Sequence, residues 1–334
     1  MAKLSDVAAR AGVSVRTVSN VVNDFPHVAP ATRARVRQAI DDRGYQPNMA
    51  ARQLRRGRTG MIGLVVPEIV SPYFGALASA VVAAAHARGY TVLVDETGGD
   101  AERERLLLGR SGAQLVDGLI FSPWALGAED LYERSAELPV VLLGERDGEG
   151  VVDHVAMDNV TAAEQATEHL IGLGRRRIAA VGVQPHLSNN TSALRLHGYH
   201  RALRRAGLSA PPELLIAVPT LHRADGAHAM RTLLAAEPIP DAIFCFTDEL
   251  ALGAMRVLAE HGLRVPDDVA VLGWDDIEDG RFSVPSLSTV APAKDEIAVL
   301  ALDQLLKRID SATEPVRDLV ATHRLIPRES TLGR

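Results

Sequence analysis

Ser5-Asp6-Val7-Ala8-Ala9-Arg10-Ala11-Gly12-Val13-Ser14-Val15-Arg16-Thr17-Val18-Ser19-Asn20 decides the reading of this chain. Ser5 is suited to cap a helix through Ala11, Gly12 supplies a left-handed turn, and Ser14 is suited to cap a second helix from Val15 to about Asn23. Two short helices therefore meet at a tight corner. Ala8, Gly12 and Val18 supply the small contact residue, the turn former and the apolar anchor that a helix-turn-helix requires. On the second helix Val18, Val21 and Val22 form an inward face, and Val15, Arg16, Ser19, Asn20 and Asn23 fall on or near the outer one. That outer face suits a DNA major groove. Arg16 can pair bidentately with guanine, Asn20 with adenine, Val15 can pack on a thymine methyl, and Thr17 and Ser19 offer hydroxyls to phosphates. A third helix fits Pro30 to Arg43, stopped by Gly44.

The charge distribution points the same way. Residues 1–58 hold Lys3 and ten arginines against Asp6, Asp24, Asp41 and Asp42, a net +7, whereas the whole chain carries −6. A basic module on an acidic body localises polyanion binding at one end. At 334 residues, 47% of them hydrophobic, the chain can bury a large core, and no apolar run approaches the roughly 20 residues a membrane span needs. The amino terminus has no apolar leader segment, and Cys245 is the single cysteine, so the expected compartment is the cytoplasm.

With these residues in view, the chain resembles the lactose-repressor (LacI/GalR) family. The resemblance rests on Asp6-Val7-Ala8, Ala11-Gly12-Val13-Ser14, Thr17-Val18-Ser19, Asn23, Thr32-Arg33, Gly44-Tyr45, Pro47-Asn48, Ala51 and Gly63. One departure is Ala29, where the family has a serine cap before the third helix. The resemblance implies a hinge helix over Asn48 to Arg55, with Leu54 as the apolar wedge entering the minor groove. A helix of about two turns is marginal alone in water and would order only with a partner helix and DNA. Arg52, Arg55, Arg56 and Arg58 can hold the flanking phosphates; Leu54 packing on the large domain is the alternative. The expected DNA-contacting set is thus Ser5, Ser14, Val15, Arg16, Thr17, Ser19, Asn20, Asn23, Tyr45, Asn48, Ala51, Leu54 and Arg55.

From Met61 onward, ten strand-sized runs, from Met61–Pro67 to Ser288–Ala291, alternate with seven helical patterns, from Phe74–Arg88 to Asp295–Ile309. Such alternation predicts parallel sheets covered on both faces, in two similar halves with a cleft between sheet edges. The resemblance makes this a type I periplasmic-binding-protein-like domain of two Rossmann-like subdomains. Its signposts include Asp158-Asn159, Gly198-Tyr199, Ala251-Leu252-Gly253, Gly273-Trp274-Asp275-Asp276 and Arg328-Glu329-Ser330-Thr331. The expected organisation is an all-α helix-turn-helix domain over 1–47, hinge and linker over 48–60, and a ligand-binding and dimerisation domain over 61–334. Within the last, one subdomain takes 61–158 and 292–322, the other 159–291 and 323–334.

Candidate effector residues sit at strand ends. Asp275 could accept hydrogen bonds from vicinal hydroxyls and matches the family's ligand-binding aspartate, while Tyr73 and Phe74 match its cleft aromatics. Ser122, Trp124, Thr191, Asp248 and Trp274 complete the set, the aromatics being equally suited to a core. Ala193 replaces an arginine common in the family, Arg195 has a structural reading, and Leu221 stands where relatives place a stacking aromatic. A carbohydrate or polyol effector is the expectation, a purine or nucleoside the alternative. The resemblance also implies a homodimer on a pseudo-palindromic operator; the tetramers' added leucine heptads do not follow Leu332-Gly333-Arg334. Catalysis is not expected, because no dinucleotide fingerprint, P-loop or nucleophile elbow is present. Neither cofactor nor metal is expected, His197 and His200 lacking an evident third ligand. A ligand-independent architectural DNA-binding dimer is the remaining alternative.

Overall fold

The computed structural model describes residues 2–22, 25–45, 58–109, 115–133, 138–144, 150–185, 191–311 and 314–333. The chain forms two compact units, Met1–Thr59 and Gly60–Arg334.

In the smaller unit α1 (Leu4–Ala11), α2 (Val15–Val22) and α3 (Pro30–Arg43) pack around Val7, Ala8, Ala11, Val18, Val21, Val36 and Ala39. Gly12 takes φ +63°, and the N–H groups of Gly12 and Val13 close the end of α1 on the carbonyls of Ala9 and Ala8 at 3.4 and 3.1 Å. Ser14 caps α2 as expected, its Oγ accepting from the Thr17 N–H at 3.1 Å. Ser5 does not cap α1. The helix begins one residue earlier than its supposed cap, and the Asp6 carboxylate accepts from the Lys3 N–H at 2.8 Å, so Ser5 lies exposed in the first turn. That bond holds the Asp6 carboxyl below its usual range. Ala29 offers α3 no side-chain cap, and Pro30 fixes the first turn instead. Arg10 of α1 reaches Asp42 of α3 at 2.7 Å, and Arg33 donates to the Phe25 carbonyl at 2.7 Å, tying α1 and the segment after α2 to α3.

The larger unit contains two six-stranded sheets. The first has the order β11 (Asp318–Ala321), β5 (Asp153–Met157), β4 (Val140–Leu143), β3 (Leu119–Phe121), β1 (Met61–Val66), β2 (Thr91–Glu96), all parallel. The second has the order β12 (His323–Ile326), β10 (Ser288–Pro292), β9 (Ala270–Trp274), β8 (Ala242–Cys245), β6 (Ile178–Val183), β7 (Leu215–Ala217), parallel except for the antiparallel β10–β12 pair. Covered on both faces, the central strands read as continuous apolar runs. Alternate residues then serve different cores. On β9, Ala270, Leu272 and Trp274 enter one cluster and Val271 the other; on β8, Ala242 and Phe244 oppose Ile243 and Cys245.

Helices α4 (Pro72–His86), α5 (Ala101–Leu108) and α6 (Ala128–Glu133) follow strands of the first sheet; α7 (Asn159–Gly172), α8 (Thr191–Arg205), α9 (Arg223–Leu234), α10 (Asp248–Glu260) and α11 (Glu278–Phe282) lie in the stretch that builds the second. The chain then returns to the first sheet through α12 (Lys294–Asp310), which packs on α4, β4 and β5, and ends with α13 (Glu329–Leu332) against β9. It passes between the halves after β5, β10 and β11. Gly198 shows why a glycine stands in the Gly198-Tyr199 signpost. A Cβ there would lie 2.2 Å from the Val160 carbonyl oxygen, so α7 and α8 approach at this depth only without a side chain. The neighbouring Tyr199 hydroxyl, fully buried, donates to the Ile178 carbonyl at 2.7 Å.

Strands β11 and β12 and the short α6, α11 and α13 lie outside the elements expected from sequence. Both are four-residue edge strands, Val320 being 66% exposed, and Asp318, His323 and Arg324 break the apolar run that the other edges, β2 and β7, retain. Asp153 secures the first edge: its carboxylate accepts from Arg308 at 2.5 and 3.0 Å and from the Arg317 N–H at 2.9 Å. No helix among the described residues is long and apolar enough to cross a membrane.

Candidate DNA-reading helix and effector cleft

In the smaller unit, the caps that end α1 and begin α2 present the start of α2 outward. Val15 is 48% exposed and Arg16 is exposed, whereas Val18 and Val21 are buried. Thr17 is held by a 2.9 Å contact between its hydroxyl and that of Ser14; Ser19 and Asn20 are half-buried beside the exposed face. Tyr45 is half-buried and packs on the unit's core, its N–H closing the end of α3 on the Ile40 carbonyl at 3.0 Å. Asn23, Asn48, Ala51, Leu54 and Arg55 lie outside the described residues.

In the larger unit, the carboxyl ends of the parallel strands of both sheets meet at one cleft, where an open α/β architecture binds its ligand. Six of the expected residues line it together: Tyr73 and Phe74 at the start of α4, Ser122 and Trp124 after β3, Thr191 at the start of α8, and Asp275 after β9. The aromatic wall is built edge to face, with ring centres 5.1 Å apart for Tyr73 and Phe74 and 6.3 Å for Phe74 and Trp124. Asp275 is 8% exposed and adopts φ +114°, a conformation uncommon for any residue but glycine. Its N–H donates to the Val290 carbonyl at 2.8 Å, and its carbonyl accepts from the Lys294 ammonium. Asp276 follows at φ +49°, gripped by Arg281 and Arg328 at 2.6 Å each. Burial would raise its carboxyl pKa, but the two arginines hold it below the usual range.

Two of the expected residues do not line the cleft. Trp274 is fully buried because it continues the core-facing parity of Ala270 and Leu272, with Phe244 at 6.2 Å. Asp248 is also fully buried, accepting from the Thr289 hydroxyl at 2.7 Å and the Ile277 N–H at 2.9 Å. Burial, with Asp275 nearby, pushes its pKa well up. Both act behind the cleft wall.

The cleft also contains residues that were not among the expected ligand contacts: Glu68, Gln184, Arg195, Leu221, His222 and Glu249. Most sit within a few residues of a strand end, as Glu68 does after β1 and Gln184 after β6, so the strand pattern carried a signal for them. Arg195 lies one helical turn beyond Thr191. Only 7% exposed, it donates from Nε to Asn159 at 3.0 Å and from Nη1 to the Phe246 carbonyl, with Cζ 4.1 Å from the Trp274 ring centre. His222 stands between Glu68 and Glu249, at 3.2 and 3.4 Å. Among the described residues no group of three or more His, Cys, Asp or Glu side chains is arranged so that it could hold a metal ion.

A two-lobed ligand-binding domain following a helix-turn-helix unit defines a class of effector-controlled DNA-binding regulators. Residues 3–48 match the family model described as bacterial regulatory proteins, lacI family, and residues 167–331 match that of the periplasmic binding protein-like domain. The chain is 33% identical over 332 residues to the ribose operon repressor of Escherichia coli K12, covering 99% of this chain and 100% of that protein. It is 34% identical over 333 residues to the repressor PurR of Erwinia tasmaniensis, covering 99% and 97%. Among solved structures, the lac repressor dimer bound to operator and the anti-inducer ONPF superposes with a TM-score of 0.87 at 28% identity, covering 99% of both chains. The chain belongs to the lacI family of bacterial regulatory proteins, and is a DNA-binding transcriptional regulator that responds to a small effector.

Proposed function

We propose that this protein is a repressor that binds a pseudo-palindromic operator as a homodimer and that its effector is a carbohydrate or related polyol held between the two sheets. α2 reads the major groove, Arg16 selecting guanine and Asn20 adenine. Leu54, in the segment from Asn48 to Arg55, is the apolar wedge that enters the minor groove beside the partner's. The observation that carries the effector assignment is the two-sided cleft. One side is an aromatic wall of Tyr73, Phe74 and Trp124, suited to the apolar face of a sugar ring; the other presents Asp275, Arg195, Gln184 and Thr191 to hydroxyls. Leu221 lines the cleft without a ring, so a flat base would find no second aromatic face from that position. Relative rotation of the two halves on ligand binding would shift the hinge spacing at the dimer axis. The protein regulates and does not catalyse, in keeping with relatives that are repressors. Thermal-shift screening of the purified chain against pentoses, hexoses, disaccharides and nucleobases tests the assignment. Stabilisation by a sugar is expected, and stabilisation by purines alone would overturn it.

A further inference from the structure

We propose that the cleft admits only effectors without a phosphate or carboxylate group, and that Glu68, His222 and Glu249 enforce this exclusion. The inference rests on the cleft being the effector site, as proposed above, and narrows the chemistry it accepts. Among the described lining residues the ionisable groups besides Tyr73 are the carboxylates of Glu68, Glu249 and Asp275, the Arg195 guanidinium and the His222 imidazole. Arg195 is the single lysine or arginine of that lining. It is turned toward Asn159, the Phe246 carbonyl and the Trp274 ring, an arrangement that fixes its direction.

Cations just outside the lining are engaged as well. The Lys294 ammonium binds the Asp275 carbonyl, and Arg223 lies 3.7 Å from Glu249 and 3.1 Å from Asp279. Several helices begin at the cleft, and helix amino termini ordinarily attract anions. At α9 and α10 the chain supplies its own, whereas α4 and α8 carry no acid in the first turn. Glu249 occupies the first turn of α10, whose Leu250 N–H is also capped by Thr247 Oγ1 at 3.2 Å, and Asp225 occupies the first turn of α9.

The three-membered cluster spans the cleft. Glu68 follows β1 of the first sheet, whereas His222 precedes α9 and Glu249 opens α10 on the second. Two carboxylates share one imidazole, so with every group charged one negative charge is left over among the three, with Arg223 3.7 Å from Glu249 as its nearest balance. Burial holds the Glu68 carboxyl above its usual range; His222 opposes this, while Glu249 and Glu96 reinforce it by like-charge repulsion. An incoming anion would meet the same repulsion. Hydroxyl groups, by contrast, find acceptors.

Isothermal titration of the full chain with matched pairs tests this: D-ribose against D-ribose 5-phosphate, D-glucose against D-glucose 6-phosphate, and adenosine against AMP. The neutral member of any pair that binds is expected to bind at least about tenfold tighter, and Glu68→Gln with Glu249→Gln should narrow that gap. A phosphate ester that matches or exceeds its parent overturns the exclusion while leaving the carbohydrate assignment intact. Binding of adenosine alone, with AMP rejected, overturns the carbohydrate assignment but supports the exclusion.

Discussion

The guanidinium of Arg195 rests 4.1 Å above the ring of Trp274, while its Nε donates to Asn159 at 3.0 Å. A residue of the core thereby aims a residue of the cleft. Trp274→Phe keeps an aromatic platform but a smaller one, with a weaker attraction for the cation. Effector affinity is expected to fall by about threefold to thirtyfold, the range spanned by ordinary cation–π energies. Calorimetric titration with whichever sugar stabilises the protein reads this directly, and an unchanged affinity would show that the ring does not orient Arg195.

Gly198 carries a prediction about stability. Gly198→Ala would force a Cβ to within 2.2 Å of the Val160 carbonyl oxygen and 2.8 Å of the Ala163 Cβ. The α7–α8 pair must separate, at a cost of about 1–3 kcal/mol typical of overpacking. Denaturant unfolding of the larger unit should shift accordingly. The same substitution at Gly172, which ends α7 and has nothing within 4 Å of the added Cβ, serves as the control and should leave stability unchanged or raise it by up to about 1 kcal/mol.

His169 makes stability depend on pH. Burial holds its imidazole pKa below the usual 6.5, and its Nε2 lies 3.0 Å from the Thr331 hydroxyl. The native state therefore binds this proton less readily than the unfolded state does. Its contribution is fully present above the unfolded pKa and is lost as pH falls from there through the lower folded value. His323, lowered chiefly by burial, acts in the same direction. Urea midpoints measured from pH 8 down to pH 5 should decline, and His169→Gln should flatten the decline. An equal slope in the variant would remove His169 from the account.

Much of the architecture was legible because the central strands are apolar on both faces and the helices between them are amphipathic. The edge strands β2 and β7 keep an apolar run, whereas β11 and β12 are four residues each and begin with Asp318 and with His323-Arg324, so no run marked them. The cleft was partly legible: strand ends point to it, but the side on which a residue emerges depends on parity. Trp274 follows the parity of Leu272 into the core, and Asp275, one residue later at positive φ, turns out of the strand. Arg195 needed the three-dimensional neighbours Asn159, Phe246 and Trp274 before its place at the cleft could be seen. Ser5 was misjudged because the Asp6 carboxylate, three residues beyond Lys3, took the backbone N–H at the helix start.

The central claim is that α2 reads DNA sequence. Selection of bound duplexes from a random pool, carried out with the wild-type chain and with Arg16→Ala, tests it most directly. Two inverted half-sites are expected from the wild type, and the variant should lose preference at one position of each half-site, a discrimination of about 1–3 kcal/mol. No enrichment at moderate salt, with or without sugars, or an identical selected motif for both proteins, would contradict it.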